Sequence, residues 1–246
     1  MFKQIKLILK NSGILKSKFI YIYSDFRFFF QYEKKNQLQK VDSLIKYLTS
    51  KGSTCIVPSF SYTKKGFFNV KKTPSKIGFL SNYLLKKKNI ERSNHPIFSF
   101  IAIGKNKKFL KKLGKSAFGN NSLHKNLKNN KCFYLHIDRP LYKGNTLIHH
   151  IEQKNKANYR FEKTFKTKVY KNNKFVGTNF KAFVRKDMKN KFTEGTFKKV
   201  YRTIGKKNYI YKKKINQFEI CIYPYDIFYD DLDNLFKKNN KIFINN

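Results

Sequence analysis

The sequence predicts an α/β fold: an N-terminal strand-helix-strand unit in a mixed sheet, followed by a more antiparallel C-terminal portion. Two observations carry this. First, the apolar runs Phe19-Ile20-Tyr21-Ile22-Tyr23 and Thr54-Cys55-Ile56-Val57-Pro58 read as buried strands. Between them Leu38, Val41, Leu44, Ile45 and Leu48 recur at helical spacing, and Lys51-Gly52 supplies the stop. A unit of this length pairs its strands in parallel. Second, from Tyr159 onward apolar and polar residues alternate, as in Phe165-Lys166-Thr167-Lys168-Val169-Tyr170, and Lys171-Asn172-Asn173-Lys174 reads as a hairpin turn.

The elements follow in order. Lysines interrupt every apolar run between Met1 and Phe19, so this stretch is neither a signal peptide nor a membrane span. Ser24-Asp25 is a polar turn after the first strand. Residues 60–80 are loop-like, and Phe79 to Lys88 reads as a short helix. Phe98 to Ile103 is a strand, Lys105 to Lys115 a basic amphipathic stretch, and Gly119 to Ser122 a loop. Lys131 to Ile137 is a further strand, and Thr146 to about Lys154 a helix. The tail holds Asp226, Asp230, Asp231 and Asp233 before a basic, Asn-rich end. With 246 residues, no internal repeat and no long linker, residues 1–246 read as a single domain. Tyr and Phe carry all of its aromatic burial, since Trp is absent.

The formal net charge is +41, a value that ordinarily points to nucleic acid or an anionic membrane. The basic residues are 49 Lys and 6 Arg, however, and Arg makes the better forked phosphate contacts. The lysines are spread along the whole chain, which reads as biased residue usage and not as a dedicated nucleic-acid surface. The field still repels cationic ligands and attracts anionic ones. Cys55, Cys132 and Cys221 are odd in number and far apart, fitting neither a disulfide framework nor a metal knot. A reducing cytoplasm is the expected setting.

The most informative segment is Asn145-Thr146-Leu147-Ile148-His149-His150-Ile151-Glu152. On a helix, Thr146, His149 and Glu152 stand at i, i+3 and i+6 and share a face. A hydroxyl, an imidazole and a carboxylate in series are the minimum set for a proton-abstracting base, a group that orients it and a donor to developing negative charge. A His and a Glu at i, i+3 could share a metal, but no HExxH or HxxEH pattern is present and no third ligand is suitably spaced. No metal is expected.

Further polar clusters lie upstream: Pro58-Ser59-Phe60-Ser61 at a strand end, Thr73-Pro74-Ser75, Arg92-Ser93-Asn94-His95-Pro96 and Phe118-Gly119-Asn120-Asn121-Ser122. Their serial order, ending in the Thr146–Glu152 segment, resembles the aminoglycoside 3-N-acetyltransferase family, the antibiotic N-acetyltransferases. The resemblance covers about residues 5–185 and leaves 186–246 as a divergent C-terminal portion. It implies an antibiotic N-acetyltransferase-like fold, distinct from the GNAT acetyltransferase fold. It implies acetyl-CoA as co-substrate and direct transfer of the acetyl group to an amine on a sugar. Under it His149 is the general base, Glu152 orients the imidazole, and Thr146 donates to the thioester oxygen. Tyr23, Ser24, Asp25, Ser59 and Ser61 line the CoA channel, with Arg92 and His95 near the same cleft. His150 and Asp138 are expected on the acceptor side.

The chain departs from the family after the first strand, where Tyr23-Ser24-Asp25-Phe26-Arg27 replaces His-Ser-Ser-Leu. That puts the CoA phosphate contacts in question. Two acceptors stay open. The family favours an aminoglycoside, a polycation needing acidic residues such as Asp138, Asp187, Glu194 or the Asp226–Asp233 cluster. The charge favours an amino sugar carried on a nucleotide, as used in surface glycans. A reading of another class, a non-catalytic basic protein binding nucleotide or nucleic acid, also stands, and a homodimer is compatible with the chain.

Overall fold

The computed structural model describes residues 2–26, 36–141, 145–186, 194–216 and 218–244. The chain opens with helix α1 (Phe2–Asn11), where Ile5 and Leu9 stand one turn apart on the buried face and the interrupting lysines face outward. The strand-helix-strand unit then follows as expected: β1 (Phe19–Ser24), α2 (Gln37–Thr49) and β2 (Thr54–Pro58). Strands β1 and β2 pair in parallel, with Phe19 opposite Thr54. Gly52, at φ +88°, makes the left-handed step that ends the α2 turn and returns the chain to β2.

Next come β3 (Phe67–Asn69), α3 (Phe79–Leu85), β4 (Glu91–Arg92), β5 (Phe100–Gly104), α4 (Leu123–Leu127), β6 (Cys132–Ile137) and α5 (Leu147–Lys154). The rest of the chain forms β7 (Arg160–Phe165), β8 (Lys168–Lys171), β9 (Lys174–Gly177), β10 (Phe180–Arg185), α6 (Glu194–Ile204), β11 (Tyr211–Ile215), β12 (Phe218–Pro224) and α7 (Tyr225–Lys238).

Seven strands build the main sheet in the order β11-β12-β6-β1-β2-β5-β4. The central trio β6-β1-β2 is parallel, while β12 and β5 join antiparallel on its two sides. The sheet is therefore mixed, as expected. Strand alternation sorts its side chains onto two faces. Ile20, Ile22, Leu135, Ile137, Ile220 and Ile222 pack against α1, α2 and α3 in one apolar layer. Phe19, Tyr21, Tyr23, Tyr134 and Tyr223 face the other way, toward α5 and α7. Tyr21, Tyr134 and Tyr223 share one register across three strands and are all fully buried, their rings 5.2 and 4.9 Å apart in turn. The three cysteines are free and buried.

The antiparallel texture after Tyr159 becomes two small sheets beside the main one, β10-β7 and β3-β8-β9. The alternating run 165–170 is divided between them: Phe165 ends β7 and Lys168 begins β8. The Asn172-Asn173 turn holds, both residues being left-handed. The segment 60–80, expected as loop, contributes β3, which pairs in parallel with β8 a hundred residues away. The C-terminal portion is integral to the fold, because β12 pairs with β6 and α7 covers the tyrosine face of the sheet. Among the described residues no helix is long and apolar enough to cross a membrane.

Candidate active site

Helix α5 is fastened by Leu147, Ile148 and Ile151, all buried in the core. Its opposite side presents the sequence-predicted trio. Thr146 occupies the N-cap position, His149 the first turn and Glu152 the second. Glu152 is fully buried and His149 keeps 25% of its side chain exposed. The His149 Nδ1 atom lies 2.9 Å from Glu152 Oε2. The same carboxylate oxygen is 2.7 Å from Arg160 Nε, and the Tyr159 hydroxyl donates to Oε1 at 3.1 Å. Arg160 begins β7 and Tyr159 immediately precedes it, so the strand and its leading turn close with the helix around the carboxylate. The charge of Glu152 is thereby matched by Arg160, which a buried carboxylate requires.

His149 is held below the ordinary histidine range, first by burial and then by the Arg160 guanidinium, against the opposing pull of Glu152. The Phe118 ring meets the imidazole edge-on at 5.3 Å between centroids. Arg160 Nη2 also approaches Nδ1, at 3.1 Å.

Thr146 is tied into a buried polar chain that sequence reasoning missed. His124 Nε2 lies 2.9 Å from Thr146 Oγ1, and His124 Nδ1 lies 2.8 Å from the Tyr225 hydroxyl. The Thr146 backbone N–H donates to Tyr23 Oη at 3.3 Å, and the Tyr23 hydroxyl donates to Tyr21 Oη at 3.0 Å. Burial keeps His124 neutral, well below its usual pKa. A signal was available: Ser122 accepts from Lys125 N as an N-cap, announcing a helix that starts just before His124.

Two cavities meet here. The larger, about 630 Å³, is lined by Thr146, His149 and Arg160 together with residues of β7 and β10. The smaller, about 130 Å³, lies at the carboxyl ends of β1 and β2 and is lined by Tyr23, Ser24, Pro58, Gly78 and Arg139. Phe60 and Tyr62 line both. Crevices beyond the carboxyl ends of parallel strands are the usual ligand positions of α/β folds.

The remaining expected residues fall elsewhere. Pro58, Phe60 and Tyr62 line the cavities, whereas Ser59 and Ser61 line neither. Both serines are buried, and Ser61 donates to the Pro96 carbonyl. Arg92 spends its donors on Ser99 Oγ and on the carbonyls of Val70, Thr73 and Ser59, and stacks on Phe68. His95 accepts from the Ile97 and Phe98 N–H groups and donates from Nε2 to the Lys181 carbonyl. Arg92 and His95 thus clamp loops together and line neither cavity. His150 is likewise a core residue, donating from Nδ1 to the Phe118 carbonyl and accepting from the Tyr229 hydroxyl. Asp25 follows β1, its N–H bound to the Ile137 carbonyl, and Asp138 follows β6, its N–H bound to the Glu219 carbonyl; neither lines the two cavities.

The C-terminal acids line neither cavity, and Asp226 accepts from the Asn129 N–H. Asp230 pairs with Lys128, Asp231 with Tyr209 and Lys207, and Asp233 with Lys154 and Lys237. Asp187 and the Glu194 side chain lie outside the described residues. Among the described residues no three His, Cys, Asp or Glu side chains converge as a metal site would need.

Comparison with known proteins agrees with this architecture. The family model described as aminoglycoside 3-N-acetyltransferase matches residues 29–236. Among solved structures, the YokD protein from Bacillus subtilis is 18% identical with a TM-score of 0.73, covering 97% of this chain and 99% of its own. Apo aminoglycoside acetyltransferase AAC(3)-IVa is 17% identical with a TM-score of 0.76, covering 100% of this chain and 91% of its own. AAC-IIIb in a binary complex with CoASH is 14% identical with a TM-score of 0.77, covering 97% and 96%. No curated protein sequence matches. The family match spans most of the chain and includes both the helix that carries His149 and the C-terminal strands expected to be divergent. This chain is a member of the aminoglycoside 3-N-acetyltransferase family, a family of acyltransferases.

Proposed function

We propose that the chain transfers the acetyl group of acetyl-CoA to an amino group of an amino sugar, with His149 as general base. The observation that carries this reading is the His149–Glu152 pair, an imidazole oriented by a buried carboxylate on the wall of the large cavity. The AAC-IIIb relative, crystallised with CoASH, supports the co-substrate.

The tautomer follows from elementary electrostatics. A bare Nδ1 lone pair 2.9 Å from a carboxylate oxygen would be repelled, so Nδ1 carries the proton and donates to Glu152. Arg160 then serves Glu152, and its approach to Nδ1 is a contact rather than a hydrogen bond. Nε2 keeps its lone pair and is the basic atom. It takes a proton from the acceptor amine as the amine nitrogen attacks the thioester carbonyl. Collapse of the tetrahedral intermediate breaks the C–S bond, and the departing thiolate recovers that proton from the imidazolium. Glu152 stabilises the transient imidazolium.

Thr146 is the donor to the oxyanion. In the tautomer that protonates Nε2 of His124, the Nε2–H donates to Thr146 Oγ1 and leaves the threonine O–H to turn toward the thioester oxygen; in this reading the Tyr225 hydroxyl turns from the His124 carbonyl to Nδ1. The smaller cavity, with Ser24 and Arg139 at its wall, is the place for the CoA arm, and Phe60 and Tyr62 flank the passage to His149.

The test is release of free CoA from acetyl-CoA with amino-sugar acceptors. His149→Ala is expected to lower turnover by about 10²–10⁴-fold while acetyl-CoA still binds. Salt-sensitive nucleotide binding with no turnover, indifferent to His149→Ala, would replace the transferase reading by a non-catalytic one.

A further inference from the structure

The lining of the large cavity bears on the charge of the acceptor. Five basic residues, Lys64, Arg160, Lys163, Arg185 and Lys186, contribute to its wall, and among the described lining residues there is no carboxylate. Arg160 is matched by Glu152 behind the wall. Lys163 stands exposed on β7 beside the Phe165 ring, and Lys186 is exposed at the end of β10. Arg185 is half-buried close to Arg160, and both burial and that like charge hold it below its ordinary pKa. A second cation there would be repelled, whereas an anion would relieve the repulsion.

The same wall carries exposed aromatic surface. Tyr62 and Phe161 are 40% and 42% exposed although both line the cavity. Large aromatic faces left open beside basic side chains suit a flat, anionic ligand, stacking being sequence-tolerant and phosphate being held by the cations. The cavity volume of about 630 Å³ is ample for a nucleotide-sized group beyond the reacting amine.

The charge also favours the chemistry. An amine must lose its ammonium proton before it can attack, and nearby cations lower an ammonium pKa. An acceptor with one amine and a phosphate anchor gains from this field at both ends. A polyamine meets the same field as repulsion at every ammonium.

Resting on the transferase reading above, we infer that the acceptor is an amino sugar linked to a nucleoside diphosphate, and not a polycationic aminoglycoside. The nucleoside diphosphate lies against Tyr62, Phe161, Lys163 and Arg185, and the amine points to His149 Nε2.

The experiment begins with the protein saturated with CoA, so that the phosphates of CoA already occupy their own site. UDP, dTDP and GDP, UDP-glucosamine, free glucosamine and kanamycin are then titrated calorimetrically. At least one nucleoside diphosphate is expected to bind, roughly 10–100-fold more tightly than kanamycin or free glucosamine, with the advantage shrinking as salt rises. Lys163→Glu, an exposed strand position that leaves the fold intact, is expected to weaken that binding about tenfold without changing CoA affinity. Binding of kanamycin but of no nucleoside diphosphate overturns the inference. So does a Lys163→Glu variant that loses affinity for CoA alone, since the basic wall would then serve the co-substrate. Failure of CoA itself to bind is a different result: it removes the transferase reading, and this inference with it.

Discussion

At the scale of single residues, Arg160 is the side chain that tunes the base. It is the largest charge opposing protonation of His149 and at the same time the partner of the carboxylate that orients it. A base kept below the ordinary histidine pKa stays neutral at pH 7 and loses activity only on the acid side. Arg160→Gln removes the opposing charge and leaves Glu152 uncompensated, so the imidazolium is favoured. The acid limb of the kcat/KM profile against pH is therefore expected to move to higher pH, and an unmoved limb would show that Arg160 is only a strut. Glu152→Gln acts in the opposite direction on the pKa, because it removes a negative partner, while turnover falls by about 10²–10⁴-fold with the loss of tautomer control. Thr146→Val is expected to lower kcat by roughly 10²–10³-fold with little change in the KM for acetyl-CoA, as loss of one oxyanion donor does elsewhere.

At the scale of elements, the irregular segment that follows β2 contributes both to the cavities and to the framework around them. Phe60 and Tyr62 line the cavities, while the Ser59 backbone carbonyl accepts from Arg92 and the Ser61 hydroxyl donates to the Pro96 carbonyl. No strand period runs through residues 59–62, so the sequence does not tell which of these side chains reach the cavities. Arg92→Met is expected to cost about 3 kcal/mol or more of stability, because it strands buried carbonyls, and to leave the acetyl-CoA KM unchanged. A raised KM at unchanged stability would return Arg92 to the cofactor site. The helix carrying His149 was legible because it is amphipathic and long enough to show its period. His124 is marked only by the Ser122 cap before it, because α4 runs only from Leu123 to Leu127 and offers too few residues for a period. The partner of Glu152 was equally hidden: Arg160 reaches it through the turn between α5 and β7, and no spacing rule reports a contact across elements. The parallel core announced itself through local runs, whereas β3 pairing with β8 is a long-range event with only three residues to signal it.

At the scale of the whole molecule, buried neutral histidines set the acid limit of stability. Burial holds His95 and His150 down to about 4 and His136 to about 3. In the unfolded chain each titrates near 6.5, so between that pH and the folded values the unfolded state binds more protons than the native one. Their contribution is complete above about pH 6.5 and is lost as the pH falls toward 4 and below. The melting temperature is expected to drop steeply across this window, and His95→Gln to flatten the drop. A melting temperature constant from pH 7 to 4 would contradict the assignment. The global charge of +41 acts in the same sense, since the native state repels itself more as carboxylates are neutralised.

Burial of all three cysteines has a practical corollary. Desolvation raises the thiols of Cys55, Cys132 and Cys221, the last to about 12, so none presents a thiolate at neutral pH. The native protein should therefore be silent toward a chromogenic disulfide reagent. In such a solution the colour counts the CoA sulfhydryl liberated at each turnover, and three equivalents that appear without substrate count molecules that have come apart.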